Sequence, residues 1–430
     1  MFSDRTNWKL AQNQFTVALE EVRAGGAKLL DLTVSNPTRV GLRYDEKAIL
    51  EALASPRALD YDPQSKGLRE ARVAVAGYYR GSRGTGEGDV ASNVSTRGIE
   101  ADPERIVLTT STSEGYSFVF RLLCNAGDEL LVPKPSYPLF EFLADLQDVR
   151  LVPYPLIYDH GWQMDFPSLE KAVTERTRGV VVVHPNNPTG SYVQDGEASM
   201  LNSLCREHGL AVIADEVFLD YRLDGDARTG NSHVGTAALG RPVERSSTAV
   251  DERTNARSFA GNQEVLTFTL SGLSKVAALP QMKVAWVVTS GPRELAATAM
   301  ERLEVIADTY LSMNAPIQWA TPALLEQRKS IQRHLLERVK GNLAELDRQL
   351  AGQKACSRLR VEGGWYVVLR VPVTRSDEQL AIELVREKSV LVHPGHFYDF
   401  ESDGYLVLSL ITIDGEFAKG ISRVLKHLNS

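Results

Sequence analysis

Short runs of consecutive apolar residues recur between residues 106 and 288, and stretches of helix-like composition separate them. A strand that is apolar at every position, and not only at alternate positions, has both of its faces buried. Helices between such strands imply parallel crossover connections. The pattern therefore predicts an α/β fold with a mostly parallel, doubly wound sheet, whose strands include Ile106–Leu108, Leu130–Val132, Val180–Val183, Leu210–Ala214, Val265–Leu270 and Val284–Val288.

Beyond Pro292 the sequence is helical over a long stretch and then gives two strand-like runs, Trp365–Val371 and Tyr405–Leu410. A chain of 430 residues is also long for a single core. We therefore expect three parts: an N-terminal segment (1–48) that packs with the small domain, a large domain (49–328) and a smaller C-terminal α/β domain (329–430).

Two segments have the composition of surface insertions, residues 81–100 and residues 224–264. The second is rich in Gly, Ser, Thr, Asn and charged residues, which favour loops over strands and helices. Long loops of this kind within a domain are usually functional or mobile. We expect the second insertion to be mobile.

Composition excludes several classes of function. The 48 basic and 55 acidic residues give a net charge of −7, with no basic run long enough for a nucleic-acid surface. No apolar run is long enough to span a bilayer, and the N-terminus lacks the apolar core of a signal peptide. The cysteines, Cys124, Cys205 and Cys356, show no metal-ligand spacing. We expect a cytoplasmic protein with a small-molecule partner and no metal, nucleic acid or membrane.

Lys275 follows the apolar run Val265–Leu270 in the segment Ser-Gly-Leu-Ser-Lys. A lysine at the point where a buried strand opens into a loop can be desolvated, which lowers its pKa and frees its amine for covalent chemistry. For an isolated Ser-Lys pair, a solvated surface lysine is the commoner alternative. Asp215 makes a site more plausible, because it ends the apolar run Leu210–Ala214 and a carboxylate there needs a cationic partner. Its alternatives are a helix cap and a structural ion pair.

Both residues lie where strands of the predicted sheet end, and ligands of such sheets bind at that edge. Four segments, in order along the chain, then carry a resemblance: Lys-Pro-Ser-Tyr-Pro (134–138), His-Pro-Asn-Asn-Pro-Thr-Gly (184–190), Ala-Asp-Glu-Val-Phe (214–218) and Ser-Gly-Leu-Ser-Lys (271–275). They resemble the class I/II aminotransferases, pyridoxal-phosphate enzymes of fold type I with the aspartate-aminotransferase fold. The resemblance extends from Ser35-Asn36-Pro37 to the C-terminal helix.

The resemblance implies pyridoxal 5′-phosphate as cofactor and transfer of an amino group between an amino acid and a 2-oxo acid, through a pyridoxamine-phosphate intermediate. Lys275 would be the Schiff-base lysine that also shuttles the substrate proton, and Asp215 would hold the pyridine nitrogen protonated. Tyr137 would stack on the ring, and Asn187 would donate to its hydroxyl. Without the resemblance, Tyr137 is a turn tyrosine and Asn187 part of an ordinary Asn-Pro turn.

A phosphate cradle is implied at the segment Ser111-Thr112-Ser113, which opens a helix after the strand Ile106–Leu108. Free N–H groups and the helix dipole bind phosphate there, although a capping box has the same sequence. Ser271 would complete the cradle. Tyr61 resembles the tyrosine that reaches the phosphate of the neighbouring subunit, which implies a homodimer with a shared active site; a surface tyrosine is its alternative.

Three positions depart from the family. Phe218 stands where a tyrosine usually donates to the cofactor's ring hydroxyl, and Lys283 stands where an arginine usually binds the phosphate. Val407 stands where an arginine usually binds the substrate α-carboxylate. The remaining substrate-binding candidates rest on position alone and are Asn36, Arg39 and Arg370, with Arg43 as a further cation.

Two other functions remain open at this point. The altered positions 218 and 407 are compatible with a lyase of the same fold, for example one that eliminates a β-substituent. A cofactor-binding regulatory protein is a second alternative, but no DNA-reading module precedes residue 30. The sequence favours the aminotransferase.

Overall fold

The computed structural model describes residues 1–8, 13–81, 98–223, 257–311 and 313–429. Most of the two predicted insertions, residues 82–97 and 224–256, lie outside these described residues. None of the described helices is long and apolar enough to cross a membrane.

The described residues form fourteen strands and twelve α-helices, with loops between them. The strands are β1 (Leu30–Asp31), β2 (Ile106–Thr109), β3 (Glu129–Lys134), β4 (Arg150–Tyr158), β5 (Trp162–Met164), β6 (Thr177–Val183), β7 (Ala211–Asp215), β8 (Thr267–Gly272), β9 (Ala285–Ser290), β10 (Ser357–Arg358), β11 (Tyr366–Arg370), β12 (Val390–Leu391), β13 (His393–Pro394) and β14 (Tyr405–Ser409). The helices are α1 (Gln14–Ala24), α2 (Glu46–Leu53), α3 (Arg69–Arg80), α4 (Thr112–Leu123), α5 (Leu139–Asp145), α6 (Phe166–Lys171), α7 (Asp195–His208), α8 (Leu273–Val276), α9 (Arg293–Tyr310), α10 (Ala315–Leu350), α11 (Asp377–Lys388) and α12 (Asp414–Leu428).

An eight-stranded sheet in the order β2-β9-β8-β7-β6-β3-β4-β5 forms the larger half of the molecule. All six apolar runs overlap its strands, and five neighbouring strands, β8, β7, β6, β3 and β4, are parallel to one another. Alternate residues face opposite cores: Val181 and Ile213 pack in the cluster that includes α4 and α9, and Val180 and Val212 pack with α7. Burial on both faces explains why these strands are continuously apolar. The predicted fold class is confirmed.

Strand β9 is the exception in the mostly parallel sheet that we predicted. Helices between apolar runs imply parallel crossovers, but β9 is antiparallel to both of its neighbours, β8 and β2. The connection from β8 to β9 contains only the four-residue helix α8 and a 3₁₀ turn, Pro280–Met282. No crossover helix returns the chain across the sheet, so the strand comes back in the opposite direction.

Two strands were not predicted: β5, at the edge of the sheet, and β4 beside it, which pair antiparallel to each other. Strand β4 contains two prolines and is partly exposed along most of its length, so it lacks the continuous apolar character of the central strands. At the other side of the sheet, residues 257–264 do not behave as the surface insertion that we expected. Phe259 and Ala260 are buried, and Ser258 donates a hydrogen bond to Glu216 at 2.6 Å.

A second sheet, in the order β10-β11-β14-β13, is antiparallel throughout, and we refer to it as the C-terminal sheet. Next to it, β1 pairs in parallel with β12, and the Ser409 N–H donates to the Leu32 carbonyl. The 36-residue helix α10 runs without a break through residues 328 and 329, where we placed the domain boundary. The division into three parts stays a proposal.

Candidate active site

Strands β7 and β8 are parallel neighbours, with Asp215 opposite Leu270. Asp215 is the last residue of β7, and Lys275 lies three residues beyond the end of β8, in α8. Both strands end at the same edge of the sheet. The structure therefore brings the two main predicted residues to one place.

Asp215 accepts hydrogen bonds from two donors and forms no direct ion pair with the part of the chain that the structure describes. The Val217 N–H donates to Oδ1 at 3.1 Å, and the Tyr116 hydroxyl donates to Oδ2 at 2.9 Å. Burial raises the pKa of Asp215, while these hydrogen bonds and the charge of Lys275 oppose the rise. Among the ion pairs of the described residues, none involves Asp215. A desolvated carboxylate that forms no direct ion pair fits a cationic ligand group.

Lys275 has an unusual environment for a lysine. Its Nζ lies 4.6 Å from the ring centre of Trp365 and 5.4 Å from that of Phe218, and it donates weakly to the Ser35 carbonyl at 3.4 Å. Although part of its side chain is accessible, the rings desolvate the amine and lower its pKa to about 8, while the charge of Asp215 opposes the fall. At pH 7 about a tenth of such amines are neutral and nucleophilic.

The predicted phosphate cradle lies at the start of α4. Ser111 is the N-cap and accepts from the Glu114 N–H at 3.1 Å, so its hydroxyl serves the helix. In a capping box the Glu114 side chain would accept from the N–H of the N-cap residue, Ser111. Here it accepts from the N–H of the preceding residue, Thr110, at 2.7 Å. Thr112 and Ser113 are half-buried, and the first N–H groups of a helix have no acceptor within it. This end of α4 can receive an anion.

The other predicted cofactor contacts differ in their burial. Asn187 is buried, and its Oδ1, a hydrogen-bond acceptor, has no partner among the described residues, so a donor on a ligand could satisfy it. Ser271 is buried and makes only a long hydrogen bond, 3.4 Å, to the Glu216 carbonyl. Tyr137 is exposed over about half of its surface. Lys283 is exposed and has a left-handed backbone, φ 52°.

The substrate-binding candidates make other contacts. Asn36 Oδ1 accepts from the N–H and hydroxyl of Thr38, and Arg39 is exposed in the same turn. Arg370 is exposed at the end of β11, over the rings of Tyr158 and Tyr405. Arg43 is also exposed and lines a surface cavity with His334 and Arg338. None of these three arginines contacts Lys275 or Asp215. Tyr61, the residue predicted to reach a neighbouring subunit, is 82% exposed.

Two of the departures from the family pattern are buried. Phe218 packs edge-on against Trp365 at 5.2 Å and against Tyr366 at 6.2 Å. Val407 is fully buried in β14, opposite Val368 of β11 on one side and His393 of β13 on the other. Position 407 is therefore part of an apolar layer.

Sequence reasoning missed three contributors to the site: Tyr116, Trp365 and Ser35. Their contacts to Asp215 and Lys275 join residues 90 to 240 positions apart. Tyr116 follows the cap of α4 by five residues on its buried face, and Trp365 opens an apolar run. These signals indicate burial, but they do not identify the partner.

The profile of the family described as "Aminotransferase class I and II" matches residues 27–410. The chain belongs to this family. The predicted class of enzyme, an aminotransferase, is thereby confirmed, and such enzymes are generally pyridoxal-phosphate-dependent.

Among curated proteins, the alanine aminotransferase of Mycobacterium tuberculosis is 28% identical over 421 residues, covering 95% of this chain and 87% of the relative. The glutamate-pyruvate aminotransferase AlaA of Haemophilus influenzae is 25% identical over 414 residues, covering 94% and 91%. Among solved structures, the alanine aminotransferase of Pyrococcus furiosus superposes with a TM-score of 0.81, 21% identity and full coverage of both chains. This last likeness shows a shared fold.

Proposed function

We propose that this aminotransferase binds pyridoxal 5′-phosphate covalently at Lys275 and transfers an amino group between an amino acid and a 2-oxo acid. One observation carries the proposal. A desolvated lysine and a desolvated aspartate, which forms no ion pair among the described residues, lie at the ends of adjacent parallel strands. A group that needs both an amine and an acid partner fits that pair.

The residues present fit this cofactor on each of its sides. Asp215 would accept from the protonated pyridine nitrogen, and the buried Asn187, whose Oδ1 has no partner among the described residues, would face the ring hydroxyl. The start of α4, with Thr112 and Ser113, would hold the phosphate together with Ser271 and Lys283. Tyr137 would cover one face of the ring. When bound, the cofactor supplies an electron sink for negative charge at the substrate α-carbon.

The chain's own residues divide the remaining work. Asp215 holds a proton at the pyridine nitrogen, and Tyr116 with the Val217 N–H keeps the carboxylate in place. Lys275, with a pKa of about 8, can take a proton from the substrate α-carbon and return one near neutral pH. Trp365 and Phe218 exclude water from this amine.

The names of the relatives suggest alanine, glutamate and pyruvate as the first substrates to test. We further propose a homodimer, because Tyr61 is 82% exposed and could reach a second active site. The three cysteines are all unpaired, which is consistent with the reducing cytoplasm.

Borohydride reduction followed by peptide mapping tests the proposed function. The reagent should fix the cofactor on the peptide that contains Lys275, and Lys275→Ala should lose both the label and turnover. Lys171→Ala, at an exposed lysine on α6, is the matched control and should keep both. Label on any other lysine would refute the assignment.

Elimination is a second candidate because Val407 replaces the residue that normally binds the α-carboxylate. Transfer needs a 2-oxo acid acceptor and releases no ammonia, whereas elimination releases ammonia from the amino acid alone. Measuring ammonia with and without 2-oxo acid separates the two. We expect turnover only when the acceptor is present.

A further inference from the structure

Helix α8, which carries Lys275, is only four residues long. The last carbonyl groups of a helix receive no hydrogen bond from the helix's own N–H groups, so their donors must come from elsewhere. Just beyond α8, Ala278 has a left-handed backbone, φ 49°, which an alanine rarely adopts. A short helix followed by a strained residue cannot by itself fix the direction of the Lys275 side chain.

Three side chains supply the missing donors. The Tyr221 hydroxyl donates to the Lys275 carbonyl at 2.6 Å, where the Ala278 N–H also donates at 3.3 Å. The Gln332 amide donates to the Val276 carbonyl at 2.7 Å. The Tyr44 hydroxyl donates to the Ala278 carbonyl at 2.8 Å, at the strained residue itself.

These donors come from three distant parts of the chain. Tyr221 lies in the loop after β7, Tyr44 precedes α2, and Gln332 lies in the middle of α10. Helix α10 also reaches the C-terminal sheet, where Asn342 donates to the carbonyls of Leu410 and Thr412. The backbone that carries Lys275 is thus tied to the N-terminal segment and to the C-terminal sheet at once.

Gln332 is itself held in one orientation. Its Nε2 also donates to Asp220 Oδ2 at 2.7 Å, and the same oxygen accepts from the Tyr78 hydroxyl at 3.0 Å. Gln332 and Asp220 are both buried. With both amide hydrogens engaged, Gln332 can donate to Val276 in only one geometry.

From this geometry we propose that Gln332 and Tyr221 are positioning residues for Lys275, and that Asp220 orients Gln332. The inference rests on the proposed function, because it assumes that Lys275 is the lysine that binds the cofactor. Without these donors α8 loosens, water reaches the amine, and the nitrogen of Lys275 leaves the place where it meets the substrate proton.

The test uses the holoenzyme and the variant Gln332→Leu. The matched control is Gln349→Leu, since Gln349 lies on the same helix and its Nε2 also joins a carboxylate, Glu345, to a backbone carbonyl, that of Ala418. We expect Gln332→Leu to lower kcat about tenfold with KM within about twofold. The pH midpoint of the cofactor absorption band should rise by about half a unit, because better solvation favours the protonated nitrogen. Gln349→Leu should change neither.

Tyr221→Phe is the second variant, in case Gln332→Leu fails to fold. Its control is Tyr154→Phe, which removes an equivalent buried hydrogen bond to a carbonyl, that of Val181, at 2.8 Å. Tyr221→Phe should shift the midpoint in the same direction, and Tyr154→Phe should lower only the thermal stability.

The outcomes separate the two proposals. If borohydride does not label Lys275 in the wild type, the proposed function is wrong. If Lys275 is labelled in every protein but folded Gln332→Leu and Tyr221→Phe keep the wild-type midpoint and kcat, the positioning inference alone is overturned.

Discussion

The eight-stranded sheet and the C-terminal sheet differ in the character of the residues that they place near the reaction. At the edge of the first, the half-buried carboxyl group of Asp215 is followed by the buried carboxyl group of Glu216, and Lys275 is close by. At the centre of the second, Val407 lies between Val368 and His393, and burial lowers the pKa of His393 to about 4. Titratable groups gather at the edge that holds Asp215 and Lys275, whereas an apolar residue occupies position 407, where the family usually has an arginine.

The difference has a structural cause. The carboxyl ends of parallel strands open into loops, so polar groups can gather there while the strands stay apolar. Strand β14 has neighbours on both sides in an antiparallel sheet, and its central residue has no such freedom. An ionised side chain at position 407 needs a partner or access to water, and the present packing around Val407 supplies neither.

Asp215→Asn tests the charged side of the comparison and should have the largest effect. A neutral amide no longer holds the pyridine nitrogen protonated, so kcat should fall about 10²- to 10³-fold. Circular dichroism and steady-state kinetics would show a folded, nearly inactive protein. Activity close to the wild type would show that Asp215 is not the acid partner.

Val407→Arg tests the apolar side. Burying an unpaired guanidinium should lower the free energy of unfolding by about 3 kcal/mol, whereas Val407→Ile should change it by less than about 1.5 kcal/mol. Urea denaturation measures both. If Val407→Arg were instead stable and lowered KM for amino acids, position 407 would have room for the family's arginine, and the comparison would fail.

Glu216→Gln tests the buried carboxyl next to Asp215. Burial raises the pKa of Glu216 from 4.5 to about 8, although Ser258 and the Phe259 N–H donate to it. The folded protein therefore holds a proton that the unfolded chain releases, and stability from this group is present below about pH 4.5 and lost as the pH rises to about 8. The contribution to the slope is at most about 1.4 kcal/mol per pH unit.

Urea denaturation from pH 5 to pH 8.5 measures this slope. Wild type should lose stability with rising pH, and Glu216→Gln should lose less over the same window. Asp220, whose pKa burial raises to about 6, contributes a fall of its own in both proteins. Parallel curves for the two proteins would show that Glu216 is already ionised at low pH.

Phe218→Tyr should have the smallest effect. A hydroxyl near the cofactor's ring oxygen would stabilise its anionic form, so the absorption band should titrate at a pH lower by about one unit. Phe218→Leu, which adds no donor, is the control for repacking against Trp365. Identical titrations for wild type and Phe218→Tyr would show that residue 218 does not face the ring oxygen.

Sequence reasoning located the central strands and the residues at their ends, since burial on both faces leaves a direct mark in composition. It failed where the outcome depends on a connection or on an edge. The direction of β9 follows from the absence of a crossover helix, and β4, next to the edge strand β5, is partly exposed and contains prolines. Neither property is visible in the hydrophobicity of the strand itself.

Within the site, Asp215 and Lys275 could be predicted because each follows an apolar run. Their partners could not. Nothing in the sequence distinguishes the three partners Tyr116, Trp365 and Gln332 from other residues of the core. Only the fold brings Tyr116 to Asp215, Trp365 to Lys275 and Gln332 to the Val276 carbonyl. The resemblance identified Val407 as a departure, and the structure added its burial between two strands.

The pairing of β1 with β12 joins residues 30 and 390, and the Val34 carbonyl, one residue before Ser35, accepts from the Ser409 hydroxyl. Ser35 in turn lies against the amine of Lys275. The lysine's surroundings thus depend on contacts of very high sequence separation, which form late in folding. A nascent chain that has not yet exposed residue 409 contains Lys275 and Asp215 but lacks the Ser409 hydroxyl that holds the Val34 carbonyl beside Ser35.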